Sequence, residues 1–196
     1  MKTRKFSIFA AFMALCLILT AFSPAVSASA KTIKRGSKEY NKINDATDWI
    51  IFQTIYNLAG GYIDGKTDYK LTKEDFKAVF HSYLIDGNQY EYTKTELKKL
   101  SKELFGKSYV DKEFLSRLEK KGSKYWVNLG DPETVDYITD NKTITSKKGY
   151  IYISGDYVAM YDYDEEQTKK LGKLTFKFKK VGENYTLRGF ILDPAK

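Results

Sequence analysis

One cysteine and one histidine in 196 residues remove most nucleophilic and metal chemistry at the outset. The cysteine, Cys16, lies in the leading segment, so the chain beyond Ala30 has none. Disulfide scaffolds, four-thiolate or cysteine-histidine zinc sites and cysteine-histidine nucleophile pairs are excluded there. A hydrolytic triad would have to use His81, which follows Phe80 and precedes Tyr83 along an apolar stripe, the setting of a half-buried helical histidine with a hydrogen-bonded tip. The chain also lacks a Gly-x-Ser-x-Gly elbow, a His-Glu-x-x-His pair, a phosphate-binding glycine loop and a dinucleotide fingerprint. No cofactor and no metal are expected. Paired carboxylates for general acid-base work stay open, because 25 Asp and Glu allow many pairs and single out none.

Met1 to Lys5 is basic, Phe6 to Phe22 is apolar apart from Ser7 and Thr20, and Ala28-Ser29-Ala30 precedes Lys31. That order is the pattern of a secretory signal cut after Ala30, and its style resembles Gram-positive bacterial export signals. Leu15 before Cys16 does not fit a lipid-anchor signal, and Ser23-Pro24 breaks what would otherwise be a spanning helix. The expected organisation is a signal peptide over 1–30, a flexible basic tail over 31–38 and a single α+β domain over 39–196. Its location is extracellular or wall-associated, with no membrane contact after cleavage.

Three of the 33 basic residues belong to the leader, leaving 30 against 25 acids, a net of +5. A chain of this length buries about 70 % of its unfolded surface, enough for a core without crosslinks. Apolar residues recur at helical spacing from Tyr40 to Ala59, and Trp49-Ile50-Ile51-Phe52 is apolar around most of the helix, which predicts cover on more than one side. Gly60-Gly61 should stop it. Thr72-Lys73-Glu74-Asp75 and Thr93-Lys94-Thr95-Glu96 read as capping boxes for two further helices, ended by Asp86-Gly87-Asn88 and Gly106. A fourth helix is expected over 111–121, closed by Gly122.

After Gly122 the period falls to 2 and aromatic and β-branched residues dominate. Strands are expected near 124–129, 134–140, 143–153, 157–163, 172–180 and 184–192, with turn signals at Asp131-Pro132, Asn141-Lys142, Gly155-Asp156 and Gly182-Glu183. Lys147-Lys148-Gly149 reads as a bulge or a further turn. Such short connections make an antiparallel meander. A two-residue Gly182-Glu183 turn would oppose Phe178 to Leu187, Phe176 to Gly189 and Leu174 to Ile191 on one face. On the other it would oppose Lys179 to Thr186 and Lys177 to Arg188, a repulsive pair that needs an acid beside it. Asp162 and Asp164, within Tyr161 to Glu166, are the expected supply, in a stretch without the glycine turn of a calcium loop.

Sixteen tyrosines all follow residue 30, where eight phenylalanines remain. Tyr150 and Tyr152 share one strand face opposite Ile151 and Ile153, and Tyr161 and Tyr163 repeat the pattern. Two readings stand: cross-strand ring packing, or a stacking platform for a sugar or peptide. Nucleic acid is not an expected partner, since the acids are interleaved and export removes it. For an exported basic protein the natural counter-surface is an anionic cell-wall polymer.

Helices followed by a curved antiparallel meander, with the final hairpin from Lys180 to Arg188, resemble small secreted Gram-positive proteins of the nuclear-transport-factor-2-like (NTF2-like) or cystatin-like fold. The likeness implies an α+β cone. The cystatin protease-binding signature is absent, since Gln53 is followed by Thr54-Ile55-Tyr56-Asn57. Cone enzymes can use an Asp base with a Tyr donor, and no motif selects either here. A more distant likeness is to secreted inhibitors of bacterial D,L-endopeptidases. Three functions follow: a secreted non-catalytic binding module at the cell envelope, holding a wall polymer, a sugar or a secreted protein; an inhibitor or regulator of a wall hydrolase acting through a loop such as Asp131 to Thr134; or a small Asp/Tyr enzyme. The expected binding residues are Trp49, Tyr56, His81 and Trp126, lining a pocket between the first helix and the sheet, with Tyr150 and Tyr152 on the strands.

Overall fold

Ser37 opens the first helix by accepting the Tyr40 N–H at 3.1 Å, and α1 then runs over Lys38–Thr54. The computed structural model describes residues 29–59, 67–85, 91–127, 136–161 and 164–195. The helix widens into a π-helical turn, Ile55–Ala59, so the expected helical stretch persists as far as the chain is described. Ile43, Ile50, Ile51 and Ile55 are buried, yet Trp49 is 40 % exposed and stacks on Phe52 at 5.5 Å. The apolar run is thus covered on one side, and its two rings shelter each other on the other.

Both capping boxes form. Helix α2, Lys73–Ile85, starts where the Asp75 carboxylate accepts the Thr72 N–H at 2.7 Å and the Thr72 hydroxyl accepts the Asp75 N–H. Helix α3, Lys94–Phe105, has the same reciprocal pair between Thr93 and Glu96 and ends at Gly106. The fourth helix is shorter than its pattern suggests. Asp111 caps α4, Lys112–Ser116, and the chain then turns into strand at Glu119–Lys121. The expected 111–121 helix is corrected accordingly: Gly122 sits in a hairpin turn rather than at a helix end, because residues 119–121 pair with Lys124–Trp126.

The described residues form nine strands. β1 is Lys31–Ile33, β2 Thr67–Lys70, β3 Glu91–Thr93, β4 Glu119–Lys121, β5 Lys124–Trp126, β6 Asp136–Lys147, β7 Tyr150–Tyr161, β8 Asp164–Val181 and β9 Asn184–Pro194. They build a six-stranded antiparallel sheet in the order β1-β6-β7-β8-β9-β2 and a small sheet β3-β5-β4. The expected α+β class, with an antiparallel meander at the C-terminal end, is what the chain adopts. Lys31–Ile33, read as the start of a tail, pairs with β6 and buries Ile33.

Two expected turns lie inside strands. Asn141-Lys142 is a bulge in β6, where the register to β7 shifts between Asp140 and Thr143. Gly155 and Asp156 continue β7, opposite Leu174 and Lys173. The reversal comes instead at Lys148-Gly149, whose φ values of 50° and 75° make a primed hairpin turn.

The β8–β9 hairpin keeps its expected register only near the turn. Phe178 opposes Leu187 and Lys179 opposes Thr186, but a bulge at Arg188 then places Lys177 opposite Gly189, Phe176 opposite Phe190 and Leu174 opposite Leu192. The extra residue puts Phe190 rather than Gly189 beside Phe176, with ring centroids 5.7 Å apart. It also separates the two cations expected to collide: the Arg188 guanidinium donates to the Phe105 carbonyl at the end of α3, 3.4 Å away. Leu174, Phe176 and Phe178 are fully buried in one continuous core with Ile43, Ile50 and Phe80. Each such side chain contributes about 1.5–3 kcal/mol through burial.

Candidate functional site

The inner sheet face is consumed by that core, which leaves the opposite face of the meander to meet solvent. Strand alternation sends Ile151 and Ile153 inward and Tyr150 and Tyr152 outward, where both are half-buried. Pairing fixes their neighbours. Lys147 and Lys179 flank Tyr150 from β6 and β8, and Thr145 and Lys177 flank Tyr152. The Lys177 ammonium lies over the Tyr150 ring, 4.5 Å from its centroid, and the two tyrosine rings are 6.5 Å apart.

Charge is uneven along this face. Towards its middle, Ser154 and Thr175 share a hydrogen bond of 2.9 Å, and Asp156 binds Lys170 at 2.7 Å and accepts the Asn141 amide at 3.2 Å. Lys170, then Asn141, hold the Asp156 carboxyl below its usual range. Asp156, opposite Lys173, supplies an acid to this part of the face. Asp162 and Tyr163 lie outside the described residues, as do the side chains of Tyr161, Asp164, Glu165 and Glu166. At the Lys148-Gly149 end none of Lys147, Lys148, Lys177 and Lys179 has an ion-pair partner among the described residues. Lys180, on the opposite strand parity, lies in the field of the Glu183 carboxylate, which is itself bonded to Lys42. Rings that offer a flat apolar surface, edged by free ammonium groups, can stack a sugar and attract its anionic substituents together.

The other expected site residues lie elsewhere. Trp49 and Tyr56 are on α1 and its π turn, 40 % and 44 % exposed. Trp126 ends β5 in the small sheet, with the Lys121 ammonium 4.7 Å above its ring. His81 is on α2, where burial first, and then the Arg117 charge, push it below its ordinary range. The structure brings Tyr150 and Tyr152 together, and the other four sit on α1 and its π turn, on α2 and on β5.

Near His81 lies the densest charge network among the described residues. The Lys77 side chain is fully buried, bonded to Glu113 at 2.5 Å, Glu74 at 3.1 Å and Asp111 at 3.1 Å. Burial works against that charge, but the hydrogen bonds outweigh it and hold Lys77 above the ordinary ammonium range. Arg117 closes the network to Glu74 and Glu113 at 3.0 and 2.9 Å. Every member is paired, so the network fastens α4 to α2. Among the described residues no three His, Cys, Asp or Glu side chains form a metal-holding group, and no helix is long and apolar enough to cross a membrane.

The lysines of the outer face were within reach of sequence reasoning, because strand period places Lys177 and Lys179 in one row. Their lack of ion-pair partners among the described residues is a matter of tertiary placement and was not. Residues 1–28, carrying the expected leader, lie outside the described residues, and so do Gly60-Gly61, Asp86-Gly87-Asn88 and the expected inhibitory loop Asp131 to Thr134. Comparison with protein families, with curated proteins and with solved structures finds no match to this chain.

Proposed function

We propose that the chain is exported and acts outside the cell as a non-catalytic binding module, holding a polyanionic carbohydrate of the bacterial envelope on the outer face around Tyr150, Tyr152 and Lys177. One observation carries this reading: two adjacent half-exposed tyrosines stand beside Lys147, Lys148, Lys177 and Lys179, none of which has an ion-pair partner among the described residues. The leader read from residues 1–30 supports the compartment, and the net basic charge supports the sign of the partner.

Attraction between exposed charges is screened over about 8 Å at physiological salt, so ring stacking has to supply what remains. Protein recovered from the culture medium of an expressing bacterium should sediment with purified cell walls. Moderate salt should weaken that binding without abolishing it. Failure to reach the medium, or no sedimentation at any ionic strength, would overturn the reading.

A further inference from the structure

β1 and β6 pair only from Lys31 opposite Ser146 to Ile33 opposite Ile144. Beyond that point the chain turns away into α1, while β6 bulges at Asn141-Lys142, and the two strands part. A cleft of about 260 Å³ opens between them, lined by Thr32, Lys34, Arg35 and Tyr40 on one side and Lys142 and Thr143 on the other. Three of these side chains are cationic and none is acidic. Lys142 is engaged by Asp48, but Lys34 and Arg35 are exposed with no carboxylate in salt-bridge reach among the described residues.

The wall opposite the two free cations is fixed. The Tyr40 hydroxyl donates to the Lys142 carbonyl at 3.3 Å, and the Asn141 amide is tied to Asp156 at 3.2 Å. Thr32, Ile33 and Thr143 complete the lining. A guanidinium and an ammonium without ion-pair partners beside a concave space suit an oxyanion, which takes charge-assisted hydrogen bonds from both. We infer that this cleft binds a phosphate group, free or carried on a polymer.

Register links the cleft to the tyrosine face. Thr32 opposes Thr145, and Thr145 opposes Tyr152, so the rim lies two strand spacings, about 10 Å, from Tyr152 on the same face. A phosphate-bearing chain crossing the sheet could occupy both. With the polymer as the source, the inference rests on the proposed function; with free phosphate it stands alone.

The test is a titration of inorganic phosphate into the ¹⁵N-labelled protein, expressed with its own leader and purified. Saturable amide shifts are expected over 32–35 and 141–143. A Lys34→Ala/Arg35→Ala double variant, altered only at exposed positions, should weaken binding at least about tenfold, the equivalent of one charge-assisted hydrogen bond. Lys98→Ala, an exposed lysine of α3, should leave phosphate binding unchanged. Shifts that never saturate, that spread equally to Lys177, or that survive in the double variant overturn the site. Wall retention then separates the sources. If the double variant also loses wall binding, the phosphate belongs to the polymer; if it loses only inorganic phosphate, the ligand is free phosphate. Failure of Lys177→Ala to affect walls would sink the proposed function and leave the phosphate result standing.

Discussion

Gly189 carries the consequence of the β9 bulge, and replacing it tests that geometry. A Cβ built there lies 2.6 Å from the Tyr69 carbonyl oxygen of β2, a backbone atom that cannot rotate away. Lys70 pairs directly with Gly189, and Tyr69 stacks on Phe190 with centroids 5.1 Å apart. Gly189→Ala must therefore lift β2 from the sheet edge or distort β9 beside Phe190. Forcing an extra carbon into such a contact costs about 1–3 kcal/mol, and losing the ring pair adds about 0.5–1.5 kcal/mol. A total of about 1.5–4.5 kcal/mol corresponds to roughly 3–18 °C in melting temperature for a domain of this size. Urea denaturation and calorimetry would read it, with Gly182→Ala as the comparison. Gly182 also needs a positive φ, 61°, but has nothing within 4 Å of the added carbon. Its cost should stay near 1 kcal/mol, the roughly 1–2 kcal/mol penalty of a left-handed alanine. A Gly189→Ala protein no less stable than Gly182→Ala would refute the close approach of β2.

Two further perturbations probe the helices. Asp111 is held well below the usual carboxylate range, first by Lys73, and Glu113 is lowered, first by Lys77. Carboxyls depressed in the fold contribute stability above their unfolded values of 3.8 and 4.5 and lose it as pH falls through the folded ones. The urea midpoint should hold down to about pH 5 and then decline, and Asp111→Asn should flatten that decline; an equally steep fall in the variant would contradict the network. Thr93→Ala removes the hydroxyl that accepts the Glu96 N–H and should cost about 1 kcal/mol in denaturant unfolding, with no change in wall retention. A loss below a few tenths would mean the box is not holding α3.

Local chemistry made much of the fold legible. Thr93 with Glu96, Thr72 with Asp75, and Gly182 at the last turn each announce their structure within four residues. The Tyr150-Ile151-Tyr152-Ile153 alternation likewise assigns inside and outside correctly. What escaped is non-local. The Arg188 bulge answers a backbone approach by Tyr69 from far earlier in the chain, and no pattern within β9 reveals it. β1 and β2 are edge strands of three and four residues, too short for a period to show. Glu119-Lys120-Lys121 is exposed throughout and so carries no alternation to distinguish strand from helix end. The cleft beside Arg35 was hidden for the same reason, since its residues read as a tail until β1 is seen to pair. Asn141-Lys142 resembles a turn in composition and is a bulge, because both strands continue past it.

The most direct measurement is the wall-binding isotherm of the exported protein across a salt series, compared with Tyr150→Ala/Tyr152→Ala and Lys177→Ala/Lys179→Ala. These four side chains are not part of the core, so folding should be preserved. If the outer face is the binding surface, the lysine variant should bind more weakly with a shallower dependence on salt. The tyrosine variant should keep the salt dependence and lose the binding that persists at high salt. Isotherms from both variants that superimpose on the parent at every ionic strength would contradict it.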